Sequence, residues 1–127
     1  MTETTKAQKT AREKKEKGAR AEQMAVDFLL ERGFVVVGRN VRLGRQEIDI
    51  IAWENDVLCF VEVRARRGQG YFSAKASVGL GKQKNVIKAA QKYLEELEGP
   101  PPFCRFDVVA VELGHPELIR NAFEASS

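Results

Sequence analysis

The apolar positions change period along the chain, and each change marks an element. From Gly18 onward, Ala21, Met24, Ala25, Phe28 and Leu29 recur at helical spacing, and Gly33 stops the run after Arg32. Phe34–Val37 is a run of Phe and β-branched valines, a strand that continues past Gly38 to Val41 or Arg42, with Gly44 making the turn. Gln46–Glu54 and Val57–Arg64 follow as two strands separated by Asn55-Asp56, a two-residue loop that fits a tight hairpin. Arg66–Gly81, rich in Gly, Ser and Lys with Tyr71 and Phe72 in its middle, reads as a mobile loop. A second helix is predicted over Lys82–Glu98, with Val86, Ala90, Tyr93, Leu94 and Leu97 as its stripe and Gly99 plus three prolines as its end. Phe106–Leu113 is a further strand, and the tail from Gly114 has room for one short element around Leu118–Phe123. Residues 1–17 contain no large apolar side chain after Met1, too little to offset ordering, and read as a disordered charged tail, with helix as an alternative near its end, before a domain over 18–127. Helix, three strands, helix, strand predicts an α/β fold: an αβββαβ core with a mixed sheet flanked by helices.

Composition narrows the class. At 127 residues, 43% hydrophobic and 31% charged, the chain has room for one domain with a modest core. No apolar run approaches the length that spans a bilayer, so no membrane partner is expected. The N-terminus mixes Lys with Glu and does not read as a secretory signal; with Cys59 and Cys104 far apart, a reducing cytoplasm is the expected location. His115 has no second histidine to complete a zinc site. The net charge of +3 resides in residues 1–17, and the other 110 residues balance to zero. Yet Val63–Leu94 holds eight basic residues and no acid: Arg64, Arg66, Arg67, Lys75, Lys82, Lys84, Lys88 and Lys92. Such a segment suits a polyanion, and equally a solvated face whose acidic partners come from elsewhere in the fold.

Period-2 alternation then sorts the hairpin. One face takes Ile48, Ile50, Ala52, Val57, Cys59, Val61 and Val63; the other takes Glu47, Asp49, Ile51, Trp53, Leu58, Phe60, Glu62 and Arg64. With Asn55-Asp56 as the loop, Asp49 stands opposite Glu62 and Glu47 opposite Arg64. Two facing carboxylates repel, and are most easily kept when a cation such as Mg²⁺ or Mn²⁺ sits between them. A surface ion-pair network in which Arg64 and Arg45 neutralise Glu47, Asp49 and Glu62 is the competing account. A three-residue loop would place Asp49 and Glu62 on opposite faces.

GRQEIDIIA (Gly44–Ala52) followed by FVEVRAR (Phe60–Arg66) resembles the core of the YraN family, bacterial proteins similar to archaeal Holliday-junction resolvases and the PD-(D/E)XK nuclease superfamily. GARAEQMA (Gly18–Ala25), Lys82–Gln83 and RFDVV (Arg105–Val109) are similar to further family segments, so the likeness spans about Gly18 to Phe123. The resemblance implies a restriction-endonuclease-like fold. It also implies a metal site of Asp49, Glu62 and the Val63 carbonyl, with Glu22 near the metal and Asp107 and Gln83 as weaker candidates. The superfamily's lysine is replaced here by Arg64, which is effectively always charged and cannot accept a proton from water, although it can clamp a phosphate.

The expected function is metal-dependent hydrolysis of DNA, including branched DNA, with Asp49, Glu62, Arg64 and Glu22 as catalytic residues. Arg66, Arg67, Lys75, Lys82 and Lys84 would contact the nucleic acid, with Tyr71 and Phe72 stacking on bases or, for Phe72, tucking into the core. Lys84, Lys88 and Lys92 form one stripe on the second helix, which also reads as plain solvated surface. Junction resolution would call for a homodimer, and no apolar stripe beyond the core marks its surface. Two rivals remain: a non-catalytic nucleic-acid-binding module that keeps the nuclease fold, and a scaffold that recruits partners through the charged tail.

Overall fold

The computed structural model describes the backbone of residues 6–66 and 78–125 and the side chains of residues 18–65 and 78–125. In chain order the elements are helix α1 (Lys6–Glu31), strands β1 (Val35–Leu43), β2 (Gln46–Glu54) and β3 (Val57–Arg66), helix α2 (Leu80–Glu95), and strands β4 (Phe103–Glu112) and β5 (His115–Phe123). The sheet order is β1-β2-β3-β4-β5, with β3 and β4 parallel and every other pair antiparallel. This is the expected mixed α/β sheet, consistent with a restriction-endonuclease-like core, and the short element after Gly114 is a full edge strand.

The helix expected from Gly18 begins at Lys6, within the segment read as a tail. Its end follows the sequence. Gly33 takes φ +88, Gly33 N–H donates to Leu30 C=O and Phe34 N–H to Leu29 C=O, the paired bonds of a Schellman cap. Phe34 and Leu29 then meet in one core. The second helix ends at Glu95, three residues earlier than its apolar stripe suggested, because Glu96 and Leu97 donate to carbonyls only three residues back and tighten the last turn.

One helix covers each face. On the α1 side, Ala21, Ala25, Val26, Leu29 and Phe34 pack on Ile50, Ala52, Cys59, Val61, Val109 and Val111. On the α2 side, Val86, Ala89 and Ala90 pack on Ile51, Leu58, Phe60, Phe106 and Val108, with Phe60, Phe106 and Phe123 stacked in series. Asn55 accepts the left-handed backbone at φ +54, so the hairpin closes in two residues and Trp53 pairs with Leu58 and Ile51 with Phe60 as expected.

The alternation fails in one place. Ile48 packs with Ile51 on the α2 side, not with Ile50 and Ala52. The switch coincides with Asn40 on β1, which sits between the pairs Arg39↔Ile50 and Val41↔Ile48 with left-handed backbone at φ +48; beyond it Val41, Leu43 and Ile48 face α2. Glu47 and Asp49 are thereby swung to the α1 side.

Candidate functional site

The β2–β3 ladder runs from Glu54↔Val57 to Ile50↔Val61 and stops there. The facing pairs expected beyond it, Asp49 with Glu62 and Glu47 with Arg64, do not form as ladder pairs. Where the strands part, the Asp49 side chain takes the place of a strand carbonyl, and its Oδ2 accepts the Val63 N–H at 2.9 Å. This bond fixes the carboxylate at the mouth of the opening, and among the described residues no other donor to Asp49 is found. Glu47 pairs with Arg42 at 3.7 Å on the exposed side of β1 instead of with Arg64.

Glu62 follows Leu58 and Phe60 on the α2 face and is 0% exposed, yet among the described residues no donor makes a well-formed hydrogen bond to either carboxylate oxygen. Among the described residues, its countercharge is the Lys82 ammonium in the first turn of α2, with Nζ 3.6 Å from Glu62 Oε2. Burial pushes the Glu62 carboxyl up to about 7 and the Asp49 charge adds to the rise, while the Lys82 and Arg64 charges and the nearby Asp49 backbone N–H oppose it. A buried carboxylate left without donors is costly, and a bound cation is one way to remove that cost.

A cleft of about 290 Å³ opens on the α1 side of the same strand ends, lined by Gly18, Ala21, Glu22, Asn40, Glu47, Asp49 and the segment Val63–Ala65. Glu22 is held within it. Asn40 Nδ2 donates to its Oε1 at 2.7 Å and Arg39 stands 3.6 Å away. Gly18 and Ala21, small residues three apart on α1, leave the space. Arg64 is half-buried beside the cleft with its Nε buried and unpartnered.

The structure thus brings Glu22, Asp49, Glu62, Val63 and Arg64 to one end of the sheet. Among the described residues no three acidic, histidine or cysteine side chains form a complete cation cage. Asp49 lines the α1-side cleft and Glu62 is sealed on the α2 face of the same strand ends, so an Mg²⁺ shared by both, with several of its waters kept, would have to sit in the break between the strands. Asp107 and Gln83 belong elsewhere. Asp107, 0% exposed, is saturated by Arg105 Nε at 2.8 Å and the Asn121 N–H at 2.9 Å, and Gln83 donates to Val78 C=O. Lys84 is exposed on α2; Arg67, Lys75, Tyr71, Phe72 and the Arg66 side chain lie outside the described residues.

Two contributors escape the strand alternation. Asn40 supplies the hydrogen bond to Glu22 and sits where the faces switch, and its signal was an Asn two residues after Gly38 within a β-branched strand, a residue tolerant of left-handed backbone. Lys82 was read as a DNA contact, and no periodicity places it over Glu62.

A model of the uncharacterised protein family UPF0102 matches residues 21–111 of this chain. A UPF0102 protein of Symbiobacterium thermophilum is 44% identical over 113 residues, covering 85% of this chain and 96% of its own length. One of Cupriavidus metallidurans is 48% identical over 108 residues, covering 84% and 80%, and one of Chlorobaculum tepidum is 45% identical over 94 residues, covering 74% and 73%.

Proposed function

This chain belongs to the UPF0102 family, and from the geometry of its site we propose that it is a metal-dependent nuclease that hydrolyses DNA phosphodiesters. The observation that carries the proposal is Glu62, a fully buried carboxylate with no well-formed hydrogen bond to either oxygen among the described residues, next to the strand break that positions Asp49. Asp49, Glu62 and the Val63 carbonyl would hold Mg²⁺ or Mn²⁺. Bound there, the ion would lower the pKa of a coordinated water and polarise the scissile phosphate.

The chain's own residues prepare the rest. The Val63 N–H holds one Asp49 oxygen, which leaves the other for the ion. Asn40 and Arg39 orient Glu22 in the cleft, where it can accept hydrogen bonds from metal-bound waters. The guanidinium of Arg64 can clamp a phosphate and offset the charge that grows on it during attack. Exposed lysines of α2 would track the DNA backbone.

The proposal is tested by incubating labelled duplex, single-stranded, flapped and four-way-junction DNA with the wild type and Asp49→Asn in Mg²⁺ and Mn²⁺. Cutting by the wild type and none by the variant is expected, and the best substrate would say whether branched DNA is preferred. A second reading, a nucleic-acid-binding module without catalysis, is favoured by Arg64 standing where the superfamily has lysine. Salt-sensitive DNA binding, unchanged by Asp49→Asn and with no cleavage of any substrate, would establish it instead.

A further inference from the structure

Lys82 is the third residue of α2, in a turn that carries no acidic residue. A cation at that end opposes the helix dipole, so its placement needs another cause. Glu62 supplies one: the Lys82 side chain keeps 38% of its surface exposed while its ammonium stands 3.6 Å from a carboxylate that is 0% exposed. One end of this ion pair is sealed in the core and the other is partly exposed to solvent at the same end of the sheet as Asp49. On the strand, the neighbouring cation is Arg64, whose guanidinium does not replace a compact ammonium. An ammonium has three donors, and an ion pair at 3.6 Å with Glu62 leaves at least two of them for a phosphate.

We propose that Lys82 is a catalytic residue: anchored by Glu62, it donates a hydrogen bond to a non-bridging oxygen of the scissile phosphate, so that helix α2 supplies the ammonium that strand β3 lacks. The role rests on the nuclease reading above. In the step, the water oxygen forms its bond to phosphorus and the bond from phosphorus to one deoxyribose oxygen breaks. The water's proton goes to solvent and the departing oxygen takes a proton from solvent. Lys82 keeps its own protons and stabilises the negative charge gathered on the phosphoryl oxygens.

The test compares wild type, Lys82→Gln and Lys82→Arg in single-turnover cleavage, in DNA affinity measured with Ca²⁺ in place of Mg²⁺, and in Mn²⁺ binding by calorimetry. Lys82→Gln should cut about 10²–10³-fold more slowly, the loss typical of one transition-state donor, with DNA affinity within about threefold of wild type. Lys82→Arg should recover at least about tenfold of that loss because it keeps a charged donor. Both variants should still bind Mn²⁺, which separates a lost donor from a collapsed site. A Lys82→Gln protein that cuts within about threefold of wild type overturns the assignment while leaving the nuclease reading standing. So does an arginine variant no faster than the glutamine one, or a glutamine variant that has lost Mn²⁺ binding. A wild type that cuts none of the DNA substrates overturns the nuclease reading and this role with it.

Discussion

Glu62 is an acid whose charged form is disfavoured inside the folded protein, and that links its protonation to stability. Its ordinary value is 4.5 and its folded value about 7. Between those values the folded chain binds a proton that the unfolded chain releases, so stability falls as pH rises through the window and the full cost is present above pH 7. At about 1.4 kcal/mol per pH unit the total is about 3 kcal/mol. Urea unfolding of wild type and Glu62→Gln at pH 5 and pH 8 checks this: the difference between the two proteins should move in favour of the variant at the higher pH. Millimolar Mg²⁺ should narrow that difference at pH 8, because a cation that binds only the folded state stabilises it. Parallel pH curves for the two proteins would show that Glu62 carries no such cost. Asn40 offers a separate residue-level measurement. At φ +48 an alanine would be strained where a glycine would not, so Asn40→Ala should be about 1 kcal/mol less stable than Asn40→Gly, read from their melting temperatures. Both lose the donor to Glu22, so neither should differ from the other in metal binding.

The strands at the far end of the sheet are joined by a charged clamp. Arg105 of β4 contacts Asp107 at 2.8 Å and Glu54 of β2 at 2.7 Å, while Arg120 of β5 donates to both Glu54 oxygens. Those two guanidinium groups hold the Glu54 carboxyl down at about 2 against an ordinary value of 4.5. A lowered acid stabilises fully above 4.5, and its contribution is lost as pH falls from there to about 2; Glu54→Gln should therefore flatten the acid limb of the stability curve. Arg105→Ala strands a fully buried Asp107 with a single backbone donor and should cost about 3–5 kcal/mol in denaturant unfolding. Arg120→Ala, at a side chain 50% exposed, should cost about 1 kcal/mol or less. A small effect of Arg105→Ala would mean that Asp107 is protonated or solvated in the fold. The elements themselves were legible because each signal is local: helical spacing up to Gly33, β-branched runs, and a two-residue loop that sets the hairpin register through Ile50↔Val61. The clamp was not, since Glu54, Arg105 and Arg120 meet only after three strands have paired. The site was legible in part. Asp49, Glu62 and Glu22, singled out by motif, lie at one end of the sheet, but alternation gave the wrong face for Ile48 and a ladder pair that does not form. Period 2 carries no information on where a left-handed residue interrupts it.

Across the whole molecule, charge is arranged in a way no single element reveals. Lys84, Lys88 and Lys92 are exposed on α2, and Lys92 at its far end approaches Gln46 Oε1 at 3.4 Å, against the β1–β2 turn. Arg42 and Arg45, also exposed, flank that turn, so the lysine stripe continues into a second basic element instead of ending on the helix. Either this strip contacts phosphates or it is solvated surface, and salt distinguishes the two. Each phosphate neutralised releases counterions and adds about 0.9 to the slope of log affinity against log salt for duplex DNA. The triple replacement of Lys84, Lys88 and Lys92 by glutamine should then lower the slope by about 2–3 and weaken duplex binding at low salt, while stability and Mn²⁺ binding stay as in wild type. Because surface charges away from packing contacts contribute little to stability, a fall in melting temperature is not expected to accompany the loss. An unchanged slope would assign the stripe to solvent and move the DNA-tracking surface to other basic groups of the chain. A reduced slope together with retained cleavage at saturating DNA would separate the tracking surface from the Asp49–Glu62 site, as expected if binding and chemistry occupy different parts of the fold.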